Sequence, residues 1–148
     1  MMHSEIRRAT DRAARAALLA DVEAACNAVL ETIGDYGELI AKPVPDTARL
    51  TSIRLQLAQK RLAHGSIVER IAEYLREHNP SAELTIRSLQ PEHAGLLHRT
   101  SAHTQKWTLI AVENDWAGYC SATREMLRCW AERVRVEGKI LRRTLEEK

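Results

Sequence analysis

Four side chains that commonly bind metals or transfer protons stand where a packed helix would usually carry leucine: Cys26, His64, His93 and Glu137. Imidazole, thiolate and carboxylate groups are the usual protein ligands of zinc and iron. A carboxylate inside a domain also needs a partner, because an unpaired buried charge costs several kcal/mol. These residue types therefore indicate either a metal site or a buried hydrogen-bonded cluster.

The distances of these residues from the helix breaks place them at similar heights. His64 precedes the break at Asn79-Pro80 by nearly as many residues as His93 follows it. At about 1.5 Å per residue, the two histidines differ by roughly 4.5 Å in height, and the same counting puts Cys26 near this level and Glu137 roughly one to two turns away. The candidate site consists of the metal ligands His64, His93 and Glu137 and the lining residues Cys26, Arg133 and Trp130.

These residues belong to four apolar stripes with alternating steps of three and four. A helix brings such positions onto one face, and four stripes of similar length bury one another best as a bundle with antiparallel neighbours. We predict one all-α domain over 1–148, an up-down-up-down four-helix bundle; a three-helix arrangement that dimerises is the alternative.

The stripes are Leu19, Val22, Cys26, Val29, Ile33, Tyr36 and Ile40; Leu50, Ile53, Leu57, Lys60, His64, Ile67, Ile71 and Tyr74; Ile86, Leu89, His93, Leu96, Thr100, His103 and Trp107; and Trp116, Cys120, Thr123, Leu127, Trp130, Val134, Glu137 and Leu141.

Prolines and capping residues give the predicted helix boundaries. Pro43 and Pro45 end the first helix, and Pro91 must kink or split the third helical stretch. The β-branched segment 108–112 is predicted to be the end of that stretch and a connector. The first two predicted helices are 4–40 and 47–78, the second with a cap at Asp46 or Thr47. A third helical stretch begins at Ser81. The last helix is capped by Asn114 or Asp115 and runs close to the carboxyl terminus.

Composition excludes some classes of partner. The 148 residues carry a formal net charge of +2 with acids and bases interspersed, whereas a nucleic-acid-binding domain usually has a concentrated basic face. The basic stretches 7–15 and 133–143 are interpreted as solvated helix faces. No apolar run approaches the ~20 residues of a membrane span, and the polar amino terminus lacks signal-peptide features. We predict a cytoplasmic protein with no nucleic-acid or membrane partner, whose three cysteines are reduced.

Two of the predicted helices resemble those of hemerythrin-like proteins of the HHE type. The resemblance implies an up-down bundle that holds two non-haem irons through histidines and carboxylates from all four helices. It is carried on the fourth helix by Asp115-Trp116-Ala117-Gly118-Tyr119, Thr123-Arg124, Leu127, Arg135-Val136-Glu137 and Leu141, and on the second by Ser52-Ile53-Arg54-Leu55, Leu57, His64 and Val68-Glu69-Arg70-Ile71-Ala72-Glu73-Tyr74.

The ligand positions of this chain depart from the family pattern. The family has His-x-x-x-Glu on its second helix, but His64 is followed at that spacing by Val68. Four residues before Glu137 stands Arg133, where the family has histidine, and arginine places a fixed charge at the site. The resemblance therefore implies a divergent, non-catalytic bundle with a degenerate metal site and no cofactor. The alternative is a single iron or zinc on His64, His93 and Glu137, serving as an oxygen or redox sensor.

A histidine phosphotransfer bundle is a further alternative, with His98 or His64 as the phosphorylated side chain. The usual continuation of that motif, two residues followed by Lys or Arg and then Gly, is missing after His98. No nucleophile with an assigned base and no phosphate-binding glycine loop is present, so we do not expect an enzyme. The expected role is binding, sensing or interaction with a protein or small-molecule partner. A surface rim formed by Trp107, Trp116 and Trp130 would favour a homodimer, and the sequence leaves the oligomeric state open.

Overall fold

The computed structural model describes residues 2–146, and six helices cover almost all of this range. They are α1 (Met2–Ile40), α2 (Thr47–His78), α3 (Pro80–Arg87), α4 (Gln90–Lys106), α5 (Leu109–Asn114) and α6 (Trp116–Glu146). No strand occurs between residues 2 and 146, so the all-α prediction is confirmed. Within the same range, no helix combines the length and apolar content that crossing a membrane requires.

Side-chain caps fix the beginning of α2 and of α3. Of the two residues predicted to cap α2, Asp46 is the one that does so: its side chain accepts a hydrogen bond from the backbone N of Arg49 at 3.1 Å. The cap of α3 is Asn79, whose side chain accepts from the backbone N of Ala82 at 3.4 Å. The predicted start at Ser81 was therefore one residue late. Pro80 opens the helix, where its missing N–H removes no helical hydrogen bond.

Pro91 splits the third helical stretch in two. The first piece, α3, ends at Arg87, and the second, α4, begins at Gln90. Pro91 lies in the first turn of α4, where a backbone donor would have no intrahelical acceptor. The sequence left open whether this proline kinks or splits the helix, and the structure shows a split.

The prediction for 108–112 was wrong, because this segment belongs to a separate helix, α5. Thr108 caps it by accepting a hydrogen bond from the backbone N of Ala111 at 3.2 Å. Val112 is completely buried in the core. The cap and this burial together outweigh the weak helix propensity of β-branched residues.

Contacts between the long helices run antiparallel. Asp11, near the start of α1, accepts a hydrogen bond from Tyr74, near the end of α2. Tyr36, near the end of α1, bonds the hydroxyl of Tyr119, near the start of α6. His93 and Glu137 join α4 to α6 in the same antiparallel sense, so the helices are compatible with a bundle.

The apolar stripes form the core, as predicted. Lys60 is the one stripe residue that is exposed; all the others are buried or partly buried. Cys26 and Cys120 are buried thiols, Cys129 is partly buried, and none of the three forms a disulfide. Helix α1 packs along α2 and α6, and α4 packs on α6. Helices α2 and α4 do not pack closely against each other, and an open groove separates them.

Candidate functional site

The structure places the six predicted site residues close together in one region of the bundle, as pairs that contact one another. Each of the four helices α1, α2, α4 and α6 contributes at least one. The three residues from α6 recur at steps of three and four and therefore share one helix face. The contacts are Cys26 with His64, His93 with Glu137 and Trp130, and Arg133 with Glu137.

Glu137 is a buried carboxylate with two partners. Its side chain is 6% exposed, and its Oε1 lies 3.1 Å from Nδ1 of His93. The Nε of Arg133 donates to the same oxygen at 2.7 Å. Burial alone would raise the pKa of Glu137, but the hydrogen bonds from His93 and Arg133 lower the pKa below its ordinary value. The carboxylate is therefore held in its charged form.

All three guanidinium nitrogens of Arg133 donate hydrogen bonds within this cluster. Besides Glu137, it donates from one terminal nitrogen to Glu92 at 2.5 Å and from the other to the carbonyl of Leu89 at 2.9 Å. Its side chain is only 10% exposed. The interpretation of 133–143 as a solvated basic face was therefore wrong for Arg133, because this side chain turns inward to bind the α3–α4 junction.

His64 and Cys26 form a second, neutral pair within the site. The Sγ of Cys26 lies 3.6 Å from Nε2 of His64, which is 2% exposed. Burial lowers the pKa of His64 and raises the pKa of the Cys26 thiol. Both groups thus stay uncharged near neutral pH, and His64 is inaccessible to a phosphate donor.

Trp130 forms the other side of the cluster. Its indole N–H donates to Oγ1 of Thr100 at 2.8 Å, and its ring forms a T-shaped contact with the His93 ring, with 5.6 Å between centroids. The guanidinium carbon of Arg61 lies 4.7 Å from the centroid of the Trp130 ring, in cation–π geometry. Sequence reasoning missed Arg61; its position three residues before His64, on the same face of α2, was the available signal.

The donors in this cluster do not fit the pair of irons that the resemblance implies. Within residues 2–146, no three His, Cys, Asp or Glu side chains are arranged to hold a metal ion. His93 and Glu137 are hydrogen-bonded to each other, and the fixed positive charge of Arg133 lies against the carboxylate. The single-metal alternative on His64, His93 and Glu137 stays a prediction.

A groove between α2 and α4 opens beside the cluster. It consists of a cavity of about 380 Å³ near α3 and a wider one of about 1040 Å³ toward the end of α4. We call the two together the α2–α4 groove. Gly65, Glu69, His93 and Leu97 line both parts. His93 therefore joins the buried cluster to a surface that a ligand can reach.

A second polar cluster, which sequence reasoning also missed, lies near the α1–α2 loop. The Tyr119 hydroxyl accepts from Nε of Arg54 at 3.2 Å and bonds the Tyr36 hydroxyl. Burial raises the pKa of Tyr36, and the neighbouring Tyr119 adds to this effect. Next to it, Nε2 of His103 lies 3.1 Å from Oγ1 of Thr123. Burial, followed by the charges of Arg54 and Lys106, lowers the pKa of His103 to about 4.

His98 is exposed on α4, apart from both clusters, and of the two phosphotransfer candidates it alone keeps the accessibility that such a role needs.

In comparisons with protein-family models, curated proteins and solved structures, no match to this chain was found. The hemerythrin-like relationship therefore stays a prediction based on the residues themselves.

Proposed function

We propose that this chain is a non-catalytic binding protein that takes a small molecule into the α2–α4 groove. In this proposal it is an up-down-up-down four-helix bundle of the hemerythrin-like type, in which a hydrogen-bonded network replaces most of the metal ligands. The observation that carries the proposal is the apolar groove that ends on His93 and Glu137.

The size and lining of the groove support a small-molecule ligand. Binding sites for small molecules are concave, of about 300–1,000 Å³, and mostly apolar with a few polar groups. The cavity near α3 has about 380 Å³. Its apolar walls come from four helices and the α3–α4 junction: Val68, Ala72, Ile86, Leu89, Ala94, Leu97 and Leu141.

The buried network supports a binding role rather than a catalytic one. Glu137 is charged and paired with Arg133, and His64 is buried against Cys26. A general base needs an accessible lone pair near its substrate, and these partners occupy Glu137 and His64. The network instead holds α4 and α6 in place, which keeps one wall of the groove fixed.

Filling the groove from Gly65 tests the proposal. A Cβ built on Gly65 meets nothing within 4 Å, so Gly65→Leu fits the backbone, extends into the groove and favours the helix by ~1 kcal/mol. The probe is the neutral, apolar fluorophore N-phenyl-1-naphthylamine. We expect saturable binding to the wild-type protein and at least about tenfold weaker binding to Gly65→Leu, which corresponds to about 1.4 kcal/mol.

The matched control is Gly34→Leu on α1, because a Cβ at Gly34 also meets nothing within 4 Å and this position is exposed. This variant should bind the probe like the wild-type protein, with an unchanged circular dichroism spectrum. Absence of saturable probe binding, or equal binding by Gly65→Leu and wild type, would overturn the proposal.

A further inference from the structure

Arg61 brings a positive charge to the α2–α4 groove without an acidic partner. Two other arginines that line the groove are paired, Arg70 with Asp21 at 3.4 Å and Arg87 with Glu83 at 2.5 Å. Among residues 2–146, no carboxylate lies within ion-pair distance of Arg61. The charge on this wall is therefore left for an external group to balance.

The hydrogen-bonding capacity of Arg61 is also unfilled. Its Nε is buried and makes no hydrogen bond within the described part of the chain. The cation–π contact with Trp130 restrains the guanidinium but supplies no acceptor. A planar guanidinium held in this way is suited to bind a carboxylate through two parallel hydrogen bonds.

The groove is more polar at one end than at the other. Ser101, Thr104 and Gln105 of α4 line the wider cavity together with Arg61. The narrower cavity is lined mainly by apolar side chains, among them Ile86 and Leu141, although His93 and Glu137 also line it. A ligand that satisfies both ends therefore has a charged head and an apolar body.

We infer that the α2–α4 groove binds a small amphipathic carboxylate, with its anionic head at Arg61 and its apolar body directed toward Leu141. This inference rests on the proposed function. Glu69 also lines the groove, about two helical turns beyond Arg61. Its negative charge disfavours an anion at that place. The head is thereby restricted to the Arg61 end.

Displacement of N-phenyl-1-naphthylamine by three ten-carbon compounds tests the inference. Decanoate, decan-1-ol and decylamine share an apolar chain and differ in charge. We expect decanoate to displace the probe at about tenfold lower concentration than decan-1-ol, since a charge-assisted hydrogen bond distinguishes them, and decylamine to be the weakest. Arg61→Met should remove the preference for decanoate over decan-1-ol.

Two variants show whether the effect depends on Arg61 itself. Arg70→Met removes a positive charge from the same groove, but one already paired with Asp21, and it should keep the preference. Arg61→Lys keeps the charge without the planar fork and should retain part of the preference. Equal displacement by decanoate and decan-1-ol, or a preference that survives in Arg61→Met, would overturn the inference. If the carboxylate preference fails but Gly65→Leu still weakens probe binding, the proposed binding function stands and only the carboxylate inference is overturned.

Discussion

Arg133 and Glu137 form an ion pair across one turn of α6, with Nε and Oε1 2.7 Å apart and both side chains at most 10% exposed. The resemblance to hemerythrin-like proteins would place a histidine at position 133. In its place, arginine neutralises the carboxylate permanently, because a guanidinium keeps its charge in proteins. Arginine at this position thus accounts for the stability of a buried carboxylate charge.

Arg133→Met should destabilise the protein strongly. The variant keeps an apolar stem but leaves Glu137 buried with His93 as its remaining partner, and breaking a buried ion pair from one side costs about 3–5 kcal/mol. The double variant Arg133→Met/Glu137→Met should regain most of this loss, since no charge is then buried. Urea unfolding measures both.

Arg128→Met is the matched control for this experiment. Arg128 pairs with Glu125 and Glu132 on the same helix, but its side chain is 60% exposed. Exposed ion pairs contribute about 0–1 kcal/mol, so this variant should unfold nearly like the wild type. Similar losses in Arg128→Met and Arg133→Met would contradict the buried-pair explanation.

A second prediction concerns metal binding at the cluster. Protein purified without chelators should contain no stoichiometric iron or zinc, because Arg133 places a positive charge beside the carboxylate that a cation would need. Arg133→His removes this charge and adds a nitrogen donor one helical turn from Glu137. Added zinc should then raise the melting temperature of the variant but not that of the wild type. Stoichiometric metal in the wild type that disappears in His64→Ala would overturn this prediction.

Counting along the helices placed His64 and His93 at similar heights, with Cys26 and Glu137 near them, and the structure has Cys26 against His64 and Glu137 against His93. Such counting is informative because the rise per residue of an α-helix is nearly constant and Asn79-Pro80 supplies the origin. The antiparallel order of sequential helices was predicted instead from the short loops between them.

The sequence could not give the groove or the inward arginines. Whether α2 and α4 close on each other depends on how the α3–α4 junction at Ser88 and Leu89 directs the chain. Arg61 and Arg133 each have a long flexible stem that reaches either solvent or the interior. Arg61 is directed by Trp130 on another helix. Arg133 has a local partner in Glu137, but its contact with the carbonyl of Leu89 in the α3–α4 junction follows no local pattern.

A third prediction concerns stability at mildly acidic pH. The folded pKa of His103 is about 4, against an ordinary value of 6.5. As the pH falls, His103 therefore becomes protonated in the unfolded chain before it does in the folded protein. Its contribution to the free energy of unfolding is complete above about pH 6.5 and decreases as the pH drops toward 4. We expect His103 to contribute a loss of about 2 kcal/mol between pH 7 and pH 4.5.

His103→Gln should make the pH profile of unfolding shallower in that range, since glutamine does not titrate. His98→Gln is the control, because His98 is exposed on the same helix, and its profile should match the wild type. Burial also lowers the pKa of His64, so part of the slope should remain in His103→Gln. An unchanged slope in this variant would contradict the assignment.

The last prediction separates the two buried tyrosine hydroxyls. Tyr119 accepts a hydrogen bond from Nε of Arg54 and also bonds Tyr36, and another nitrogen of Arg54 is already buried without a partner. Tyr119→Phe would leave the Arg54 Nε without its acceptor and should cost about 2 kcal/mol, whereas Tyr36→Phe should cost about 1 kcal/mol. In an Arg54→Met background, the difference between the two variants should shrink, because no guanidinium is left unsatisfied. Urea unfolding of the six proteins gives the ranking, and a larger loss for Tyr36→Phe than for Tyr119→Phe would show that the Arg54 contact is not what makes Tyr119 important.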